Sequence, residues 1–292
     1  MTKRVAVVVV AYQAGDFLAP CLDALLASSY PDFEVTVVDN GGGDDAVAKA
    51  VGRYGPRLRT VGLDRNHGFA GGVNAAIASL PSAEVYALVN QDCRVEAGWL
   101  EPLVAALADR RVGIAGARLY EIDGLTLQHA GGVVHANGLT SHLGRGSRGD
   151  RDFMSPRDVD YVTGAVCAFR SDVWRAHGPF DEGYHPAYFE EVDFCMKLAA
   201  VGLSARYVPD SRAVHVEAGS SGRGSGLFLR HYHRSRMRFA ARHLLRGSRW
   251  TKAVAAELAW LGGRRRWAEL EPVLMAYGSL PGQLWQAHRQ QP

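Results

Sequence analysis

The chain has few cysteines and no long apolar run. Its 292 residues include only Cys21, Cys93, Cys167 and Cys195. They are scattered and form no C-x-x-C pair. A disulfide framework or a zinc site is therefore not expected, and a reducing cytoplasm suits them. No apolar stretch approaches the ~20 residues of a membrane-spanning helix. Lys3 and Arg4 precede an apolar run in the manner of a secretory leader, but the run is short and lacks a small-residue cleavage site. A buried strand is the expectation there. No G-x-G-x-x-G follows that run: Ala11-Tyr12-Gln13-Ala14-Gly15-Asp16 stands in its place, and Gly68-Phe69-Ala70-Gly71-Gly72 lacks the pattern too. No P-loop lysine motif occurs. Hydride transfer on a dinucleotide and P-loop phosphoryl transfer are both disfavoured. Internal repeats and nucleic-acid recognition motifs are likewise missing.

What remains is a globular composition, with 47% hydrophobic and 22% charged residues on a chain able to bury a large core. The net charge of +3 conceals an asymmetry. Residues 223–292 carry 13 Lys+Arg against 3 Asp+Glu, and residues 1–222 carry 20 against 27. An acidic body with a basic tail implies that the tail meets an anionic surface.

Residues 5–10 form a β-branched run, the mark of a strand covered on both faces of a parallel sheet. A helical pattern follows from Phe17 to Leu26, closed by Tyr30-Pro31. A strand over 34–38, a helix capped by Asp44 and ending near Tyr54, and a strand over 58–63 come next. A helix then starts in Asn66-His67-Gly68 and ends near Pro81. A strand over 85–89, a helix over 99–108 and a strand over 112–117 complete an alternating α/β half. From 119 to 156 the periodicity fades into short strands and a loop, with 145–151 its most flexible part. Residues 161–169 read as a strand broken at Gly164, where a ligand or backbone approaches closely. The spacing then gives a helix opening at Glu190-Glu191, a strand over 204–208, a second extended piece over 213–217, and a Gly/Ser-rich lid or unstructured loop over 218–226. From Leu227 onward basic helices carry interleaved aromatics. They either lie on an anionic membrane surface or pack their apolar face on the body with arginines in water.

In such sheets ligands bind outside the carboxyl ends of the strands. Asp39, Asn66 and Asp92 should thus converge on one cleft. An acid at a strand end suits a hard divalent cation that also holds phosphates, and taken alone it is more often a turn residue. His215, in an alternating run, is a structural histidine or a ligand. Glu190 and Glu191 open a helix, where acids are ordinary, and they also have the character of a general base at a pocket mouth.

Taken in order, these pieces resemble the family 2 inverting glycosyltransferases of the GT-A fold, in particular the bacterial rhamnosyltransferase-like members. The resemblance spans about residues 4–222. It rests on Val9-Val10-Ala11-Tyr12, Val37-Val38-Asp39-Asn40, the run from Asn66 to Asn74, Asn90-Gln91-Asp92, Thr163-Gly164-Ala165, Phe189-Glu190-Glu191-Val192-Asp193, and His215 with Gly219-Ser220-Ser221-Gly222. It implies a GT-A mixed, mainly parallel sheet flanked by helices, with a nucleotide half (1–117), an acceptor half (118–222) and a basic helical appendage (223–292).

The resemblance also implies roles. Ala11, Tyr12, Asp39, Asn66, Gly68, Asn74, Asn90, Gln91 and Asp92 would contact a nucleoside-diphosphate sugar. Asp92 and His215 would hold Mg²⁺ or Mn²⁺, with a single carboxylate in the Asn-Gln-Asp triplet. Gly164, Ala165 and Asp193 would shape the sugar and acceptor pocket, Asp193 also serving as a cap or the partner of an arginine. Glu191, or Glu190 beside it, would be the base. The acceptor would be a glycan, a lipid-linked intermediate or a natural product. The protein would work in the cytoplasm, in peripheral contact with the inner membrane face through 223–292, and would bind no nucleic acid. Two rivals stand: a nucleotidyltransferase on a related sheet, which lacks its Gly- and Arg-rich opening loop here, and a non-catalytic glycan- or partner-binding protein.

Overall fold

The structure is a computed structural model that describes residues 3–43, 45–80, 82–148, 151–217, 226–245, 249–263 and 267–289. The chain opens with β1 (Val5–Ala11), α1 (Leu18–Leu26), β2 (Phe33–Asp39), α2 (Ala46–Tyr54), β3 (Leu58–Gly62), α3 (Gly68–Ser79) and β4 (Val85–Val89). It continues through β5 (Cys93–Val95), α4 (Leu100–Ala106), β6 (Val112–Tyr120), β7 (Leu127–His129), β8 (Gly132–Val134), β9 (Thr140–His142) and β10 (Arg157–Val159). Then come β11 (Val166–Arg170), α5 (Ser171–His177), α6 (Glu190–Ala200), β12 (Ser204–His215), α7 (Gly226–His243), α8 (Arg249–Gly263) and α9 (Trp267–Arg289).

Among the described residues the main sheet runs β10-β12-β6-β11-β4-β1-β2-β3, with β5 on β12 and β7 on β6. The β3-β2-β1-β4 block is parallel, β11 inserts antiparallel between β4 and β6, and β12 is parallel to β6. β1 shows why its sequence lacks polar alternation. Val5, Val7 and Val9 enter one hydrophobic cluster, and Ala6 and Val8 enter the other, on the opposite face. Both faces are covered by helices, so every position is apolar.

Several expected boundaries move. α1 stops at Leu26, where the Ala27 N–H already bonds back to Asp23 and Leu25. Tyr30 instead enters the core and donates its hydroxyl to the Lys3 carbonyl at 2.8 Å. Asp44 and Pro81 lie outside the described residues. Within the expected flexible loop, Arg145 is held by Glu121 and Glu217 at 3.2 and 2.8 Å, and Arg148 pairs with Asp123. The strand expected over 161–169 begins only at Val166. The last two extended pieces are one strand, β12, with an irregular register against β6 between Val208 and Arg212. The lid expected over 218–226 falls, except for Gly226, outside the described residues.

The basic C-terminal segment does not stand clear of the body. Arg236 is fully buried and makes a bidentate pair with Glu257 of α8, both contacts 2.8 Å, while its guanidinium lies over the Trp260 ring. Arg238 reaches Asp181 at 2.7 Å. These arginines are neither in water nor on a surface; each has a carboxylate partner, which burial of a cation requires.

Candidate active site

A cleft of about 680 Å³ opens where β1 and β4 end and α6 begins, and α7 forms one wall. Tyr12, Asn66, Asn90, Gln91, Asp92, Gly164, Ala165, Glu190, Glu191 and His215 all line it.

The turn before α6 lines the cleft. Tyr188 and Phe189 both take positive φ, 82° and 77°. For bulky residues this is a strained conformation that surrounding structure must hold. Here α7 holds it. Tyr188 packs on Phe228 and Tyr232, and Phe189 packs on Tyr232 and Phe239. The Ser235 hydroxyl donates to the Ala187 carbonyl at 3.2 Å. The strained turn delivers Glu190 and Glu191 to the cleft. Glu190 is only 2% exposed, and its Oε1 has no hydrogen-bond partner. Burial, and then the charge of Glu191, push its carboxyl well above the usual range. Glu191 is also raised by burial. Backbone N–H groups of Glu191 itself, Gly164 and Val192 donate to it and offset part of that rise. It is also the more open of the two to the cleft.

Gly164 is needed for this approach, since a Cβ there would meet the Phe69 ring at 3.1 Å and lie 3.9 Å from the Glu191 Cβ. Gly68 is needed too: its φ is +75°, and a Cβ would sit 2.8 Å from the Pro186 carbonyl.

The same cleft also gathers Asp92 and His215. His215 Nε2 lies 3.3 Å from Asp92 Oδ1. Gln128, which sequence reasoning missed, determines how the ring is set. Its amide Nε2 donates to Glu121 Oε2 and to the His215 carbonyl, both at 3.0 Å. Its Oε1 must then accept from His215 Nδ1, at 2.7 Å. With the proton on Nδ1, Nε2 faces the carboxylate with a lone pair. Two acceptors face one another unless a cation, a proton or a metal ion, lies between them. Cys93 Sγ lies in the same group of candidate ligand atoms, all within 4.8 Å of one another. Its thiol donates to the Ala165 carbonyl at 3.4 Å and is held well up by burial and by Asp92, so it is a poor ligand for a hard cation. One carboxylate and one neutral imidazole fit Mg²⁺ or Mn²⁺ that completes its shell with phosphate oxygens and water.

The remaining expected residues divide. Gln91 makes reciprocal bonds with the Tyr12 main chain, 2.8 and 3.0 Å, and so ties the exits of β4 and β1 together. Asn66 Oδ1 accepts from the Gly68 N–H at 2.7 Å and opens α3. Ala11, Asp39 and Gly68 sit behind this rim, where the Asp39 carboxylate accepts the Gly41 N–H at 3.2 Å.

Asn74 is turned away from the cleft. It bonds the Phe180 main chain on both sides, at 3.0 Å each, and Glu182 at 2.9 Å. Asp193 also leaves the pocket and takes the pairing role. Fully buried, it receives His243 at 2.7 Å, Lys197 at 2.8 Å, and Arg242 and Tyr184 at 3.1 Å. The cleft further contains Thr140, His142, Tyr188, Tyr232 and Arg234, for which the sequence offered no specific spacing.

Residues 6–178, more than half of the chain, match the family described as glycosyl transferase family 2. The chain is 29% identical over 231 residues to the uncharacterized protein y4gI of Sinorhizobium fredii, covering 76% of this chain and 25% of that protein. It is 27% identical over 195 residues to the pre-mycofactocin glycosyltransferase of Mycobacterium tuberculosis, covering 65% of this chain and 39% of that one. The chain thus spans well under half the length of these relatives. Its fold is similar to GalNAc-T7 solved with UDP, GalNAc and Mn²⁺, at TM-score 0.66 and 15% identity over 82% of this chain and 48% of that one. It is also similar to the mannosyltransferase PcManGT of Pyrobaculum calidifontis in complex with GDP-Man and Mn²⁺, at TM-score 0.58 and 19% identity over 99% and 74%.

Proposed function

The chain belongs to glycosyl transferase family 2, and from that premise we propose that it moves a sugar from a nucleoside-diphosphate donor to an acceptor hydroxyl with inversion. The observation that carries this reading is the placement of the Asp92–His215 pair and the Glu190–Glu191 pair in one cleft. Glu191 takes the proton of the acceptor hydroxyl. The hydroxyl oxygen bonds to the anomeric carbon as the bond from that carbon to the diphosphate breaks. Attack from the face opposite the leaving group inverts the centre. Asp92 and His215 would hold a divalent cation, which supplies charge stabilisation for the departing diphosphate. Tyr12, Asn66, Asn90 and Gln91 contribute donor contacts at the strand exits, with Ala11, Asp39 and Gly68 shaping the rim behind them. Gly164 and Ala165 admit the sugar beside the base.

The acceptor is a glycan, a lipid-linked intermediate or a small molecule. No helix of the described residues is long and apolar enough to cross a membrane. α8 nevertheless exposes Trp250, Val254 and Leu258 one turn apart on a basic segment. That pattern supports peripheral contact with an anionic surface. The test is a donor panel: dTDP-, UDP- and GDP-sugars with Mn²⁺, Mg²⁺ or EDTA, read by thermal shift. One donor should stabilise the protein, and EDTA or Asp92→Ala should abolish the shift. No stabilisation by any nucleotide sugar would overturn the reading, and pyrophosphate release from a nucleoside triphosphate would favour a nucleotidyltransferase.

A further inference from the structure

The cleft carries a surface that the transfer step does not use. α7 enters it with Leu227, Phe228, His231, Tyr232 and Arg234. Phe228 and Tyr232, one turn apart, lie nearly parallel, 14° between planes at 5.9 Å. Tyr188, two residues before Glu190, meets both rings edge-on at 5.1 and 6.4 Å. Leu227 is 56% exposed at the lip of this panel.

The same wall carries a cation, Arg234. Burial, and then the Arg234 charge, holds the His231 ring below its ordinary value, so it faces the cleft as a neutral hydrogen-bonding ring. Arg234 is exposed. Arg230, one turn earlier, is already paired with Glu271 at 2.7 Å. A neutral sugar would cover the rings and leave Arg234 without a counter-charge. An inorganic anion would meet Arg234 and leave the rings wet. An apolar chain carrying an anionic group matches both.

We propose that this panel is the acceptor subsite and takes an anionic amphiphile, an acceptor whose reacting hydroxyl is joined through a phosphate to an apolar chain. The assignment rests on the glycosyl-transfer reading of the cleft. The chain lies along Leu227, Phe228 and Tyr188, the phosphate faces Arg234 and His231, and the hydroxyl reaches the base turn that Tyr188 adjoins.

The probe is farnesyl phosphate, titrated by calorimetry in the presence of Mn²⁺ against farnesol and inorganic phosphate. Farnesyl phosphate should bind at least about tenfold more tightly than either fragment. Leu227→Ser and Arg234→Ala change exposed side chains and should preserve folding, and each should weaken the phosphate-bearing probe several-fold. Arg234→Ala should leave farnesol binding unchanged. Equal affinity for farnesol, or probe binding indifferent to both variants, would overturn the proposal. Equal affinity for inorganic phosphate would do so too, by making Arg234 a site for the donor's own diphosphate. Thermal shift with the donor panel separates the two levels of failure. A protein that binds a donor but not the probe loses only this inference, whereas one that binds no donor loses the underlying reading.

Discussion

Replacing Asp193 by Asn removes one negative charge from a fully buried site and leaves the volume unchanged. Its partners are Arg242 and His243 of α7, Lys197 one turn on, and the Tyr184 hydroxyl. Breaking a buried charge pair on one side costs about 3 to 5 kcal/mol. Lys197, Arg242 and His243 keep some water access, so the expected loss is about 3 kcal/mol, at the lower end of that range. The cost should also reach the chemistry. Asp193 lies two residues beyond Glu191, in the first turn of α6, and α7 reaches that turn through Asp193 and through the rings on Tyr188 and Phe189. A displacement of about 1 Å at the base costs roughly 100-fold in rate.

The assay pairs urea unfolding with donor turnover for Asp193→Asn and for Lys197→Met, which removes only the most exposed partner and should cost about 0.5 kcal/mol with turnover intact. pH supplies a signature. Burial alone would raise the Asp193 pKa, but the His243 hydrogen bond and the charges of Lys197, His243 and Arg242 outweigh it and hold the carboxyl well below the usual range. The stability difference between wild type and Asp193→Asn should therefore persist above the unfolded value of about 3.9 and close as pH falls below it. An Asp193→Asn protein with an unchanged urea midpoint would refute the stabilising role of these buried pairs. One that loses stability but keeps full turnover would refute its link to the base.

Three further outcomes follow from the same geometry. Gln128→Leu frees the His215 ring, and Mn²⁺ affinity measured by electron paramagnetic resonance should fall about 10- to 100-fold; Gln128→Glu keeps an acceptor at Nδ1 and should fall less. With saturating donor, turnover should rise along an acid limb centred above the ordinary glutamate value of about 4.3, because burial raises both members of the Glu190–Glu191 pair and the base must be ionised. Burial also keeps His129 neutral and lowers His142 to about 4, helped there by the Arg145 charge. The unfolded chain then binds protons that the native state refuses. Stability should thus decline from about pH 6.5 downward by up to about 1.4 kcal/mol per unit for each histidine, a slope that His142→Gln should reduce.

Much of the donor half is legible because local chemistry and global position agree there. A β-branched run such as Val5 to Val10 fits few places other than a strand covered on both sides, and polar residues at its exit and at Asp92 face a cleft by the geometry of parallel sheets. Glu190 and Glu191 are legible through the acidic start of an apolar helix. The misses have a common cause in long-range pairing. Gln128 meets His215 across 87 positions, and Asn74 meets Phe180 across 106, so no local spacing announces either contact. Sequence leaves the arginines of α7 either on a membrane surface or in water, because a buried guanidinium is uncommon, and only folding brings Glu257, Asp181 and Asp193 beside Arg236, Arg238 and Arg242. The strain at Tyr188 and Phe189 is equally silent in sequence, since the α7 rings that pack on those residues come from some forty positions further along the chain.

The central claim is that Glu191 is the base of a transfer whose donor is bound in the same cleft by Asp92 and His215. The most direct measurement is nucleoside-diphosphate release from the stabilising donor, compared between wild type, Glu191→Gln and Glu190→Gln. Glu191→Gln should bind the donor with unchanged thermal shift and lose about 100-fold or more in kcat, while Glu190→Gln, which replaces a carboxyl already pushed toward its neutral form, should lose much less. Full turnover in Glu191→Gln would contradict the assignment, whatever the fold.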